Sequence, residues 1–194
     1  VYVHRVVIDD SDENALAVVL GANVTVTSSV LSNSGADAIT VADGVLNISN
    51  TFVGGNLTDL AAISVSAGDA RISYSTLVVG FGASSGIRCM GAGDTVTIKN
   101  SILANRDANN PEISGCMNAD FSGSATESGL MGTVALGDFD TAWFVDFANG
   151  DCHLTDMAPA ELATAAAWQD GDPLTDIDGD PRPTEAGSAD YAGA

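Results

Sequence analysis

A short phrase of alternating residues returns through the first half of the chain at a nearly constant interval. No other feature limits the possible folds as strongly. The phrase reads Val24-Thr25-Val26-Thr27-Ser28-Ser29-Val30-Leu31, then Leu46-Asn47-Ile48-Ser49-Asn50-Thr51-Phe52-Val53. Its last clear copy is Val96-Thr97-Ile98-Lys99-Asn100-Ser101-Ile102-Leu103. A weaker copy is Ala70-Arg71-Ile72-Ser73-Tyr74-Ser75-Thr76-Leu77, and the chain opens inside another, Val1-Tyr2-Val3-His4-Arg5-Val6-Val7-Ile8. The third residues, Val3, Val26, Ile48, Ile72 and Ile98, lie 23, 22, 24 and 26 positions apart. A second phrase falls between the copies: Ala17-Val18-Val19, Ile39-Thr40-Val41, Ile63-Ser64-Val65 and Ile87-Arg88-Cys89. Its last positions are spaced by 22, 24 and 24. Chance periodicity would not hold two landmarks in phase, so the chain is a repeat.

Inside each phrase, apolar residues alternate with Thr, Ser, Asn or Lys, the period of a strand with one face buried. Val and Ile dominate the inward positions, as suits a packed pleated surface. Turn residues gather between phrases, as in Asn33-Ser34-Gly35-Ala36-Asp37 and Ala67-Gly68-Asp69. No helical stripe precedes Met157. A repeat this short cannot bury its apolar side alone. Stacking each coil on the next, with strands paired in parallel, solves that. Val24, Leu46, Ala70 and Val96 would form one inward column, and Val26, Ile48, Ile72 and Ile98 a second. Ala17, Ile39, Ile63 and Ile87 would form a third on another wall.

The expected fold is therefore all-β: a right-handed parallel β-helix of about five regular coils over residues 1–120. The hand follows the rule for parallel crossovers. A sandwich of antiparallel hairpins would explain the strands but not the constant period. After Leu103 the rhythm loosens. Residues 121–194 read as final irregular coils and a C-terminal cap of the same domain, since an uncovered last coil exposes strand edges. Residues 158–168 read as a short helical turn over that end. Val1 begins inside a strand phrase with no Met before it, so a truncated N-terminus is expected.

Composition removes whole classes of partner. The 194 residues are 45% apolar, too many for a disordered chain. Six Lys and Arg stand against 26 Asp and Glu, a formal charge of -20. Such a chain repels phosphate backbones and anionic lipid, so nucleic acid is not an expected partner. No run is apolar enough to expect membrane insertion. Strong acidity suits a secreted protein, a salt-adapted one, or one that meets divalent cations.

The C-terminal third carries a resemblance. Asp151-Cys152-His153-Leu154-Thr155, followed by Ala158-Pro159-Ala160, resembles a "DFHL…SPAID" ending. Thr175-Asp176-Ile177-Asp178-Gly179-Asp180-Pro181-Arg182-Pro183 resembles a "DIDGDPRP" signature. Asp190-Tyr191-Ala192-Gly193-Ala194 stands where "DIGAYE" is usual, and Lys99-Asn100-Ser101-Ile102-Leu103-Ala104-Asn105 is similar to an "NSIL.N" coil phrase. Together these are similar to secreted bacterial right-handed parallel β-helix repeat proteins of the pectin-lyase-like superfamily. Glu161-Leu162-Ala163 departs from the usual "ID.G" turn, which puts the packing of the cap in question. The resemblance implies an extracellular or cell-surface location. It also implies a long groove on one wall, where lyases of this fold set an Arg or Lys base opposite Ca²⁺-bound carboxylates. Hydrolases of the fold use Asp residues on neighbouring coils, one to protonate the leaving oxygen and another to activate water.

Few residues offer that chemistry. The strand phrases expose Thr25, Asn47, Arg71, Thr97 and Lys99, which are the candidate ligand-binding residues for a polysaccharide or cell-surface glycan. No acidic pair stacks on adjacent coils among them. Asp176, Asp178 and Asp180 with Gly179 form a D-x-D-G-D run that suits a Ca²⁺ loop, with Glu185 as an outside ligand. Pro181 breaks the EF-hand register, and a polar Asp-Gly turn is the competing reading. Asp9, Asp10, Asp12 and Glu13 read as a solvated corner. His4 and His153 show no sequence partner and read as surface or capping residues.

Cys89 replaces Val41 and Val65 in an inward position, where a buried small hydrophobe is its simplest role. A Cys116–Cys152 bridge would tie the cap. Cys89–Cys116 between stacked coils is the alternative, because parallel strands lie about 4.8 Å apart. Asn23-Val24-Thr25, Asn47-Ile48-Ser49 and Asn56-Leu57-Thr58 match the glycosylation sequon, but read as ordinary turn and strand residues. The expected function is a non-catalytic structural or adhesive module that binds glycans. A polysaccharide lyase or glycoside hydrolase is the alternative, and a spike or fibre subunit a third.

Overall fold

The computed structural model describes residues 1–55, 60–80 and 82–194. Parallel strands stack into three sheets along one solenoid axis. The first sheet is six-stranded and contains Tyr2–His4, Ala22–Thr27, Gly44–Ser49, Asp69–Ser73, Thr95–Lys99 and Asn118–Ser122, in that order. The second is seven-stranded and runs Val7–Ile8, Val30–Ser32, Phe52–Gly55, Thr76–Val79, Ile102–Asn105, Ser124–Thr126 and Thr133–Ala135. The third is five-stranded: Leu16–Val18, Ile39–Val41, Ala61–Val65, Ser85–Cys89 and Ile113–Ser114. One strand from each sheet makes a coil, giving five complete coils. No α-helix occurs among the described residues, only three short 3₁₀ turns.

The register places like residues over like. Val24, Leu46, Ala70 and Val96 align, as do Val3, Val26, Ile48, Ile72 and Ile98. These columns and the inward residues of the other two sheets form one continuous buried core. Each fully buried Val, Leu or Ile in it contributes about 1.5–3 kcal/mol of transfer free energy. On the third wall, one expected assignment is a residue out. Leu16, not Ala17, aligns with Ile39, while Ala17 pairs with the outward Thr40 and is exposed. A slip of one residue inverts the face of a strand, and the apolar run Leu16-Ala17-Val18-Val19 carries no alternation to set the phase.

The eight-residue phrase is two strands, not one. A corner residue with left-handed backbone separates them in every coil: Arg5, Ser28, Asn50, Tyr74 and Asn100, with φ between 44° and 52°, then Gly123 at 59°. A hydroxyl follows each corner from the second coil on: Ser29, Thr51, Ser75, Ser101 and Ser124, all buried. Each donates to the carbonyl two residues back, as in Ser101 to Lys99 at 2.8 Å. Several also accept an amide from the neighbouring coil, as Ser101 does from Ser75 at 3.1 Å. This satisfies the amide that the turn withdraws from the sheet ladder.

The second sheet is apolar on both faces. Leu31, Val53, Leu77 and Leu103 point into the solenoid. Phe52, Val78, Ala104 and Ile102 point out, and the C-terminal segment covers them. Trp143, Phe144 and Phe147 pack on Phe52, Val78 and Ala104, while Leu162, Ala166 and Trp168 pack on Tyr74 and Ile102. The expected helical turn is a 3₁₀ segment, Ala160–Thr164, and it lies on this side wall. Near-continuous apolar runs such as Thr76-Leu77-Val78-Val79 signal a strand buried on both faces, which is why the tail folds back along the coils.

The disulfide joins Cys89 to Cys116, with Cα atoms 4.8 Å apart. Cys152 is free and buried, so the expected Cys116–Cys152 bridge is corrected in favour of the alternative between stacked coils, and Cys89 lies buried in the core as its inward position implies. Cys152 packs with the aromatic residues under the tail, while Cys116 packs against the interior of the coils. The sequon Asn56-Leu57-Thr58 lies outside the described residues.

Candidate functional site

The outer face of the first sheet is a wall of aligned polar side chains. Parallel pairing sets Tyr2, Thr25, Asn47, Arg71, Thr97 and Asp120 in one outward column. Beside it run His4, Thr27, Ser49, Ser73, Lys99 and Ser122. The pleat gives the two columns a shallow trough of about 280 Å³, lined by Thr25, Asn47, Arg71, Thr97 and Lys99 among others. All five residues singled out in the sequence as ligand-binding therefore meet on one surface.

Its electrostatics are nearly balanced. Arg71 lies 3.1 Å from Asp69, whose other oxygen accepts the Thr95 hydroxyl. Lys99 Nζ lies 2.6 Å from Asp172 Oδ1. Asp172 comes from the tail, and its second oxygen accepts from the Gln169 amide at 2.8 Å and from Asn100 Nδ2 at 3.3 Å. Tail residues Gly171, Asp172 and Pro173 thereby wall a second hollow of about 400 Å³ that also touches Tyr2, His4 and Thr27. At that end the Tyr2 and His4 rings stack with centroids 5.9 Å apart, and both bond to Thr27 Oγ1. Asn47 Nδ2 donates to Asn23 Oδ1 at 3.1 Å, linking two of the sequons on this face.

The acidic run at Asp176 folds as a tight turn. Asp176 Oδ1 accepts three backbone amides, from Asp178 and Gly179 at 3.0 Å and from Asp180 at 2.9 Å. A carboxylate oxygen so occupied holds an Asp-Gly turn together. Asp178 turns toward His153, and Glu185 contributes its main-chain carbonyl to a turn with Ser188. Among the described residues, no three His, Cys, Asp or Glu side chains group as a metal site.

His153 does have partners. Its Nδ1 lies 2.5 Å from Asp151 Oδ1, and its Nε2 lies 3.0 Å from Asp178 Oδ2, outside hydrogen-bonding geometry. The i, i+2 spacing of Asp151 and His153 was visible in the sequence. Asp178 arrives only through the fold of the tail.

One carboxylate cluster was missed altogether. Glu112, Glu127 and Asp138 line a hollow of about 180 Å³ where the last coils loosen. Glu112 is buried and accepts the Ser128 amide at 2.6 Å. Burial pushes the Glu127 carboxyl up to about 7, helped by the charges of Glu112 and Asp138 and opposed by the Asn105 amide that it accepts at 2.6 Å.

Neither family models, curated proteins nor solved structures give a match to this chain.

Proposed function

We propose that this is a non-catalytic extracellular or cell-surface module, and that a polysaccharide lies along the outer face of its first sheet. The observation that carries the reading is the trough itself. Thr25, Asn47, Arg71 and Thr97 offer hydroxyl, amide and cationic groups, one per rung, along a straight wall, with Lys99 beside them in the next column. A polymer with a regular repeat is the ligand such a lattice suits. The Cys89–Cys116 disulfide supports an oxidising compartment, and no helix among the described residues is long and apolar enough to cross a membrane. The resemblance of the tail to secreted pectin-lyase-like proteins points the same way.

Affinity electrophoresis through gels containing soluble polysaccharides tests the reading. Retardation by at least one polymer is expected, and Asn47→Ala with Thr97→Ala should abolish it without lowering the melting temperature. Unretarded migration in every gel sinks it. A glycoside hydrolase is the second reading, favoured by one observation: Glu127 keeps its proton to about pH 7 beside a second carboxylate. Release of reducing ends, lost in Glu127→Gln, would establish that reading in place of the first.

A further inference from the structure

We infer that the trough selects an uncharged polysaccharide over a polyuronate, and that Asp69 and Asp172 make this choice. The inference rests on the polysaccharide-binding reading above. An acidic polymer needs cations free to meet its carboxylates. The trough holds two of the chain's six basic residues, Arg71 and Lys99, and both are already answered. Asp69 sits 3.1 Å from Arg71, and Asp172 sits 2.6 Å from Lys99.

Each carboxylate is held by a further group. The Thr95 hydroxyl holds Asp69 from the next coil. Asp172 is 91% buried as a side chain and is pinned by the Gln169 amide and Asn100 Nδ2, so it stays over Lys99 whatever enters the trough. Breaking this partly desolvated pair costs more than breaking a surface pair. Asp172 lies 73 residues beyond Lys99, so the tail, folded back to cover the second sheet, also trims the charge of the first.

The remaining groups suit neutral sugars. Thr25, Asn47 and Thr97 both donate and accept, as hydroxyls require. Tyr2, 67% exposed and in register with Thr25, extends the same column with an aromatic ring, the kind of group that packs on the apolar face of a sugar. Asp120 continues the column below Thr97 and adds a negative charge there. The net charge of -20 further opposes a polyanion within the roughly 8 Å over which charges act at physiological salt.

Calorimetry on the full chain at physiological salt, with xylan, β-glucan and mannan oligosaccharides against oligogalacturonate and oligomannuronate, tests this. The native protein should bind a neutral oligosaccharide at least about tenfold more tightly than either uronate, a gap of one decade in Kd. Asp69→Asn and Asp172→Asn should each gain about three- to fivefold for the uronates, the size of one unmasked ion pair. Asp69→Asn is the safer variant, because its site is exposed and the amide still reaches Thr95. Tighter binding of a uronate by the native protein overturns the inference and leaves glycan binding standing. Neutral binding with no uronate gain in either variant overturns the role of the two carboxylates. Binding of neither class overturns the polysaccharide reading, and this inference with it.

Discussion

Glu127 keeps its proton because its surroundings oppose ionisation. Its neighbours Glu112 and Asp138 are themselves acidic, and burial denies the charge its hydration. A carboxyl raised from 4.5 to about 7 in the fold binds its proton more tightly there than in the unfolded chain. Its contribution to stability is therefore complete below pH 4.5, declines as pH rises toward 7, and is lost above that. Thermal unfolding from pH 4 to pH 8 should show it. The melting temperature of Glu127→Gln minus that of the native protein should rise across this window and level off above pH 7. A flat difference would mean that the carboxyl ionises normally. The cluster was hidden in the sequence because Glu112 and Glu127 flank the stretch where the repeat loses its rhythm. The Ser128 amide, bonded back to Glu112, and the Asn105 amide, bonded to Glu127, close one more turn of the chain around the cluster.

At the scale of the element, the unit is a strand, a left-handed corner, a hydroxyl and a second strand. The alternation in Val96-Thr97-Ile98 reveals the first strand and its face without ambiguity, because polar and apolar residues strictly exchange. The corner was legible only in part. Asn50 and Asn100 adopt left-handed backbone readily, whereas Ser28, Tyr74 and Arg5 do so against their preference, so no common residue marks the position. The hydroxyl one place later is the steadier signal, being Ser or Thr in five successive coils. Ser101→Ala tests it. The change removes the bond to Lys99 O and leaves the buried Ser75 amide without its acceptor, at a cost of about 1–3 kcal/mol. Ser101→Thr should retain most of the stability, since Thr51 fills the equivalent place two coils earlier. Denaturant unfolding of the two variants would measure the difference. Equal midpoints for Ala and Thr would show that the ladder contributes nothing.

At the scale of the whole molecule, the tail changes how a solenoid behaves. Coils touch only their neighbours, so a bare stack can lose rungs from one end without disturbing the other. Here the tail runs beside four coils and bonds to each of them. Ala148 O accepts from Asn33, Thr175 O from Asn50, the Thr76 hydroxyl accepts the Ala194 amide, and Asn100 Nδ2 donates to Ala167 O. Arg182 adds a buried tie, bonded to Asp190 and Asn50 and set 4.1 Å over the Tyr74 ring. These contacts span 115, 125, 118 and 67 residues of sequence, so fraying any middle coil must also strip the tail. Unfolding should be cooperative for that reason. The cluster of Phe52, Val78, Ala104, Trp143, Phe144 and Phe147 is where the strap is fastened. Phe147→Ala should cost about 3–5 kcal/mol, the usual loss for a buried aromatic. The loss should appear in one transition, with near-ultraviolet dichroism from the tail aromatics and far-ultraviolet dichroism from the coils melting together at the lower temperature. Two separated transitions, with the coil signal unmoved, would show that the tail is a passenger on a solenoid stable without it. Joint melting would mean that the segment which trims the charge of the trough also holds the coils in register.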